Sequence, residues 1–143
     1  ITSPIPANVL SIFSNNLILG SNDDSSTQFS GGVSCPTKTM ILNGGDEYFV
    51  KISDCNLFVQ NTSIISDVDI YLPTMASLRI GQYWRIVNNS SSLPPLTHIV
   101  VIHTLDAGNN LYSNDPISTA QMFSGNIADI VYDGTYFQLL TTA

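Results

Sequence analysis

Short apolar runs broken by turn residues follow one another along this chain, and most of them alternate with period two. Over residues 67–72, Val68, Ile70 and Leu72 fall on one face and Asp67 and Asp69 on the other, which predicts a half-buried strand. Pro73 ends it, having no N–H to give a ladder. A short crossing over 75–80 carries two apolar anchors, Leu78 and Ile80, and leads to Gly81. Residues 82–87 predict a second strand, with Trp84 and Ile86 toward a core and Tyr83, Arg85 and Val87 on the other face. Arg85 is there available to an acid or a subunit. Further strands are predicted over 37–42, which stops at Asn43-Gly44-Gly45, and over 47–52, 57–60, 96–105 and 120–123. Within 96–105, Ile99-Val100-Val101-Ile102 is apolar at every position, a pattern of burial on both faces. Residues 115–121 open on Asp-Pro and are read as a loop in preference to a single helical turn.

The last pair of strands is the clearest local signal. Residues 127–132 and 135–140 flank Asp133-Gly134, which predicts a two-residue type I′ hairpin with Ile130 opposite Phe137 and Ala128 opposite Leu139. Those four residues, with Tyr132 and Thr135, share the predicted core face. The second face carries Ile127, Val131, Tyr136 and Leu140 and is too apolar for free solvent. No window shows apolar residues at 3.6 spacing over ten positions without Gly, Pro or a β-branched run. The expected fold is therefore all-β: an antiparallel β-sandwich, jelly-roll-like. Residues 1–31 read as an arm or shaft-like segment. In it, residues 10–12 and 17–19 flank an Asn-rich turn, and a soft boundary near Gly31 opens a head domain over 32–143.

Charge narrows the function. Only 10% of the 143 residues are charged, against about 25% in an ordinary soluble domain. Ser, Thr and Asn are abundant instead, as suits strands, turns and extracellular surfaces. A net charge of −7 with four basic residues argues against nucleic acid, which needs clustered Lys and Arg. The same balance argues against an anionic membrane, and no apolar run is long enough for membrane insertion. The chain opens on Ile1 rather than Met, so it is read as a fragment or a processed chain.

Candidate chemistry is sparse. Cys35 and Cys55 lie outside any CxxC pattern; one disulfide is open to them, but two buried free thiols are the favoured expectation. His98 and His103, five apart on one predicted strand, point to opposite faces and do not chelate one metal within a subunit. Asp67 with Asp69, and Asp23 with Asp24, lack the flanking residues of a calcium loop or a glycosidase pair and are read as solvated acids. No nucleophile elbow, zincin, phosphate loop or dinucleotide fingerprint is present. The expectation is a protein with no catalytic residues, no metal and no cofactor. Asn61, Asn88 and Asn89 each open an N-glycosylation sequon, a pattern that arises by chance in so Asn- and Ser-rich a chain.

Leu72-Pro73, a small-residue crossing, Ile80-Gly81, Trp84-Arg85-Ile86-Val87-Asn88-Asn89, a β run and a closing Tyr132-Asp133-Gly134-Thr135-Tyr136-Phe137 together resemble the C-terminal head domains of viral and bacteriophage fibres. The resemblance covers roughly residues 35–140 and carries no catalytic motif. It implies an all-β homotrimer on the virion surface, extracellular, that touches a host-surface receptor, glycans among the candidates. Independently of it, strands apolar on both faces ask for a covering surface, which a homotrimer supplies. Val100, Ile102, Val131, Tyr136 and Leu140 are the candidate subunit interface. Loops carry binding on rigid β scaffolds, so the turns 88–95 and 106–114 supply the candidate receptor or glycan contacts: Asn88, Asn89, Asn109, Asn110 and Tyr112. Tyr83, Tyr132 and Tyr136 are further aromatic candidates. The rival reading is a monomeric carbohydrate-binding β-sandwich module; a spike enzyme domain is the weaker third, wanting a recognisable carboxylate pair.

Overall fold

The computed structural model describes residues 35–91 and 98–142. The predicted arm over 1–31, the loop positions 92–95 and the strand start at 96–97 lie outside them. Among the described residues eleven strands form two sheets. They are β1 (Thr37–Leu42), β2 (Glu47–Phe49), β3 (Asn56–Asn61), β4 (Val68–Leu72), β5 (Tyr83–Asn88), β6 (Val100–Thr104), β7 (Leu111–Ser113), β8 (Asp115–Ile117), β9 (Thr119–Met122), β10 (Ile127–Tyr132) and β11 (Phe137–Thr142). A 3-10 turn, Met75–Ser77, follows Pro73. The large sheet has the order β1-β3-β5-β10-β11-β7-β8, the small one β2-β4-β6-β9.

An all-β sandwich is as expected; its pairing is not. From β1 to β6 the chain alternates between the sheets, and each strand lies parallel to the one before it in the same sheet: β1 with β3, β3 with β5, β2 with β4, β4 with β6. The chain therefore winds, laying one strand in each layer per turn. Parallel neighbours need a long crossover, usually a helix; here the crossover is a strand of the opposite sheet. β9 and β10 then run antiparallel to β6 and β5, and β7–β8 and β10–β11 form hairpins. The sheets are thus mixed, and an antiparallel jelly roll is not what the chain builds.

Corners of the winding explain some sequence choices. Asn43-Gly44-Gly45 hands the chain from the large sheet to the small one, and Asp46 Oδ2 accepts from Asn43 N at 2.8 Å. A Cβ on Gly44 would stand 2.5 Å from Ser66 Cβ and 2.6 Å from Ser63 Cβ, so the next corner packs directly on the bare backbone. Where the chain leaves β3 and β5, two buried asparagines take the place of apolar residues. Asn61 Nδ2 donates to Ser66 O and Ile99 O, each at 2.9 Å. Asn88 Nδ2 donates to His98 O and Met122 O, each at 2.8 Å, while its Oδ1 accepts from Ser90. Both amides are fully engaged, as burial requires, so neither is an accessible glycosylation acceptor.

Cys35 and Cys55 are joined, with Cα atoms 5.9 Å apart, which overturns the free-thiol expectation. They sit just before β1 and β3, two parallel neighbours, and so bridge the start of successive windings. The parallel register brings the two cysteines together, and no local pattern announces it.

The inward rows fill one core. Leu57, Val59, Trp84, Ile86, Ile130 and Phe137 come from the large sheet, and Val68, Ile70, Leu72, Val100, Ile102 and Met122 from the small. Trp84 is fully buried as expected, and its Nε1 donates to Lys51 O at 3.2 Å. Ile80 is 77% exposed and does not anchor the crossing; Leu78 packs against the core. Residues 115–117, expected as a loop, form the edge strand β8, where Pro116 costs no ladder bond on the solvent side.

The final hairpin keeps the predicted faces but not the register. Ile130 pairs with Leu139 and Tyr132 with Phe137, leaving a four-residue loop, residues 133–136. A slip of two positions preserves which side faces the core, whereas a slip of one would invert it. Asp133 drives the longer loop: its Oδ1 accepts from Thr135 N and Tyr136 N, each at 2.7 Å, and its Oδ2 from Gln138 Nε2 at 2.6 Å. These bonds, that from Tyr136 first, hold the Asp133 carboxyl below its ordinary range.

Candidate functional site

The outer face of the large sheet is assembled by register alone. One row runs Tyr83, Val131, Gln138, Tyr112; the next Arg85, Asp129, Leu140; a third Phe58, Val87, Ile127. Leu140 is 75% exposed, and Val131 and Tyr83 are also open to solvent. In the middle of these apolar groups, Arg85 meets the acid that its face demanded. Its Nε lies 2.8 Å from Asp129 Oδ1 and its second contact reaches Oδ2 at 3.2 Å. Tyr83 OH donates to the same Oδ1 at 2.6 Å. Arg85 lowers the Asp129 carboxyl, and the hydrogen bond to Asp129 raises the Tyr83 phenol.

A groove of about 540 Å³ opens beside this face, lined by Tyr112, Ser113, Asn114, Gln138, Leu139, Leu140 and Thr141. It exists because β7 pairs with β11 at only two positions, Leu111 with Phe137 and Tyr112 with Gln138. Asn114 then turns β7 back at φ 67°, while β11 runs on. Tyr136 backs the groove's aromatic wall, its ring 5.4 Å from that of Tyr112. No lining residue is charged.

The predicted residues fare unequally. Tyr112, Val131, Tyr136 and Leu140 are gathered on or beside one outer face. Val100 and Ile102 are not: they point inward from a central strand of the small sheet and are wholly covered by their own chain. They leave the interface set. Val101, on the outward side of that strand, is also covered, at 7% exposure, so the continuous apolar run needs no second subunit. Asn88 leaves the contact set because its amide is buried and used at the corner. Asn110 is spent on its own loop, Nδ2 donating to Asp106 O at 3.0 Å and Ala107 O at 3.1 Å. Asn89 and Asn109 are exposed. Tyr132 is buried with its OH on Gly134 O. Tyr112, a contact candidate, and Leu140, an interface candidate, line the same groove, so the two roles compete there. Asn114 closes the candidate turn 106–114 without being named among its contacts, and Gln138 is a groove residue that no sequence signal marks as a contact.

His98 Nδ1 lies 2.8 Å from Asn61 O, and His103 Nε2 2.6 Å from Asp69 Oδ1. Among the described residues no group of three or more His, Cys, Asp or Glu side chains gathers to hold a metal ion. No helix among them is long and apolar enough to cross a membrane. No protein-family model matches the chain, and no curated protein matches it.

Proposed function

We propose that this chain is a non-enzymatic head domain of a virion fibre, structural and adhesive, working as a homotrimer on the virion surface. The observation that carries the reading is the outer face of the large sheet. Val131, Leu140 and Tyr83 are exposed on adjacent rows around a self-satisfied Arg85–Asp129 pair. A face of that kind is too apolar to be left to water yet leaves no unpaired charge to bury against a symmetric copy. The Cys35–Cys55 bridge suits an extracellular setting. Sedimentation velocity at micromolar concentration tests the assembly. A trimer is expected, with Val131→Asp or Leu140→Glu reducing it to monomer; a wild-type chain that stays strictly monomeric overturns the reading.

The groove favours a second reading, a monomeric carbohydrate-binding module. An uncharged concavity with one tyrosine wall is suited to a sugar ring. A glycan array read with Tyr112→Ala separates the two. Binding by a monomer that this substitution abolishes selects the module.

A further inference from the structure

The other outer face, that of the small sheet, carries an arrangement that neither assembly nor the groove uses. The parallel register sets Phe49 beside Tyr71 and Tyr71 beside His103. Their rings stack, 5.1 Å apart at 16° and 4.7 Å apart at 17°. That repeat is the spacing of neighbouring strands, so the ladder follows directly from the winding. None of the three belongs to the hydrophobic core. Asp69 pins His103 from the adjacent row at 2.6 Å, and Glu47 stands beside Asp69 in that row. β2 is the edge strand of its sheet. Tyr71 covers one face of the Phe49 ring, which is 51% exposed, so the opposite face is the one solvent reaches. The surroundings are negative: after desolvation, Glu47 and Asp69 are the groups that raise the Tyr71 phenol.

We propose that the Phe49–Tyr71–His103 ladder with its row of carboxylates is a binding platform for pyranose saccharides that carry no acidic group. The apolar C–H face of a sugar ring packs on an aromatic face, and its hydroxyls donate to Glu47 and Asp69 in charge-assisted bonds. The stack holds the Phe49 ring in one orientation before any ligand arrives, which reduces the ordering cost of binding. The same carboxylates repel sialylated, uronic or sulfated sugars. The site rests on the adhesive reading above in one respect. It lies on the opposite side of the sandwich from the face assigned to subunit contact, so both can be engaged at once, and it relieves Tyr112 of a role that Leu140 contests.

The test is an array of neutral, amino and acidic saccharides probed with the full chain, the hits titrated by calorimetry. Neutral or amino sugars are expected to bind. Phe49→Ala, Phe49→Leu, which keeps the bulk and loses the ring, and Glu47→Gln are each expected to weaken binding at least tenfold with an unchanged far-ultraviolet spectrum and a cooperative unfolding transition. Tyr112→Ala is expected to leave binding as it was. No saccharide bound at millimolar concentration, hits confined to acidic sugars, Phe49 variants that bind like wild type, or a loss in Tyr112→Ala would each overturn the assignment. Sedimentation of the same samples reads assembly separately. A monomer that binds through Phe49 keeps the platform and sinks the trimer; a trimer that binds no sugar does the reverse.

Discussion

β1 to β6 and β7 to β11 solve the same burial problem in two ways. Among the first six strands every mutual pairing is parallel and is reached after a passage through the opposite sheet. In the last five, hairpins and antiparallel additions dominate, and among the described residues β11–β7 is the one parallel pairing these five strands make. Winding depends on contacts distant in sequence, so its corners must be fixed by groups that reach between turns: the Asn61 and Asn88 amides, the bare backbone of Gly44, the Cys35–Cys55 bridge. The hairpin depends on one local residue, Asp133, which organises its own loop. Non-local pairing needs long-range fasteners; local pairing needs turn chemistry.

The sharpest way to break this contrast is at the joint. Trp84 lies in β5, parallel to β3 on one side and antiparallel to β10 on the other, its ring 6.3 Å from Phe137. Trp84→Ala is expected to cost about 3–5 kcal/mol in denaturant unfolding and to lower the protection of both halves in hydrogen exchange together. If only one half responds, the two are not one cooperative unit. Next comes the bridge: Cys35→Ser with Cys55→Ser removes a tie across a separation of 20 residues, worth about 3 kcal/mol. Its loss should appear in the exchange of β1 and β3 and leave β10–β11 unmoved. Asn88→Ala strands the carbonyls of His98 and Met122 and is expected to cost about 2 kcal/mol. A surface contact residue at that position would cost almost nothing.

The smallest effect belongs to the hairpin and depends on pH. The folded loop lowers the Asp133 carboxyl below its ordinary 3.8. Its contribution is therefore complete above that value and drains as pH falls through it toward the depressed folded pKa. Asp133→Asn should be modestly less stable than wild type near neutrality and show a shallower decline in acid, the gap between the two closing as pH falls below 3.8. Because the group is exposed, the gain is modest. An identical acid profile would remove Asp133 as the organiser of the loop.

What the sequence disclosed follows the same divide. Residues 37–42 read as a strand and are β1, and Trp84 and Arg85 fell on the correct faces, because alternation is a local property. The partners of those strands were not legible. Asn43-Gly44-Gly45 announces a turn without saying whether the chain will fold back on itself or cross to the other layer. Val100 and Ile102 read as an interface because a β-branched run does not reveal that its own neighbours will cover both sides. Of the candidate site, Val131 and Leu140 were read from the hairpin's second face. The groove arises from where β7 departs from β11, and the ring ladder from residues 22 and 32 apart in sequence that only the winding sets side by side. Nothing in a window of ten residues records such a coincidence.

The covalent bridge has a mechanical consequence. Tension delivered to the chain at Cys35 would otherwise peel β1 from the margin of the large sheet, one ladder bond at a time. With Cys35 tied to Cys55, the load passes straight to the foot of β3, an interior strand held on both flanks, and the residues between them stay slack. A domain anchored through that end can be tugged without unravelling from it.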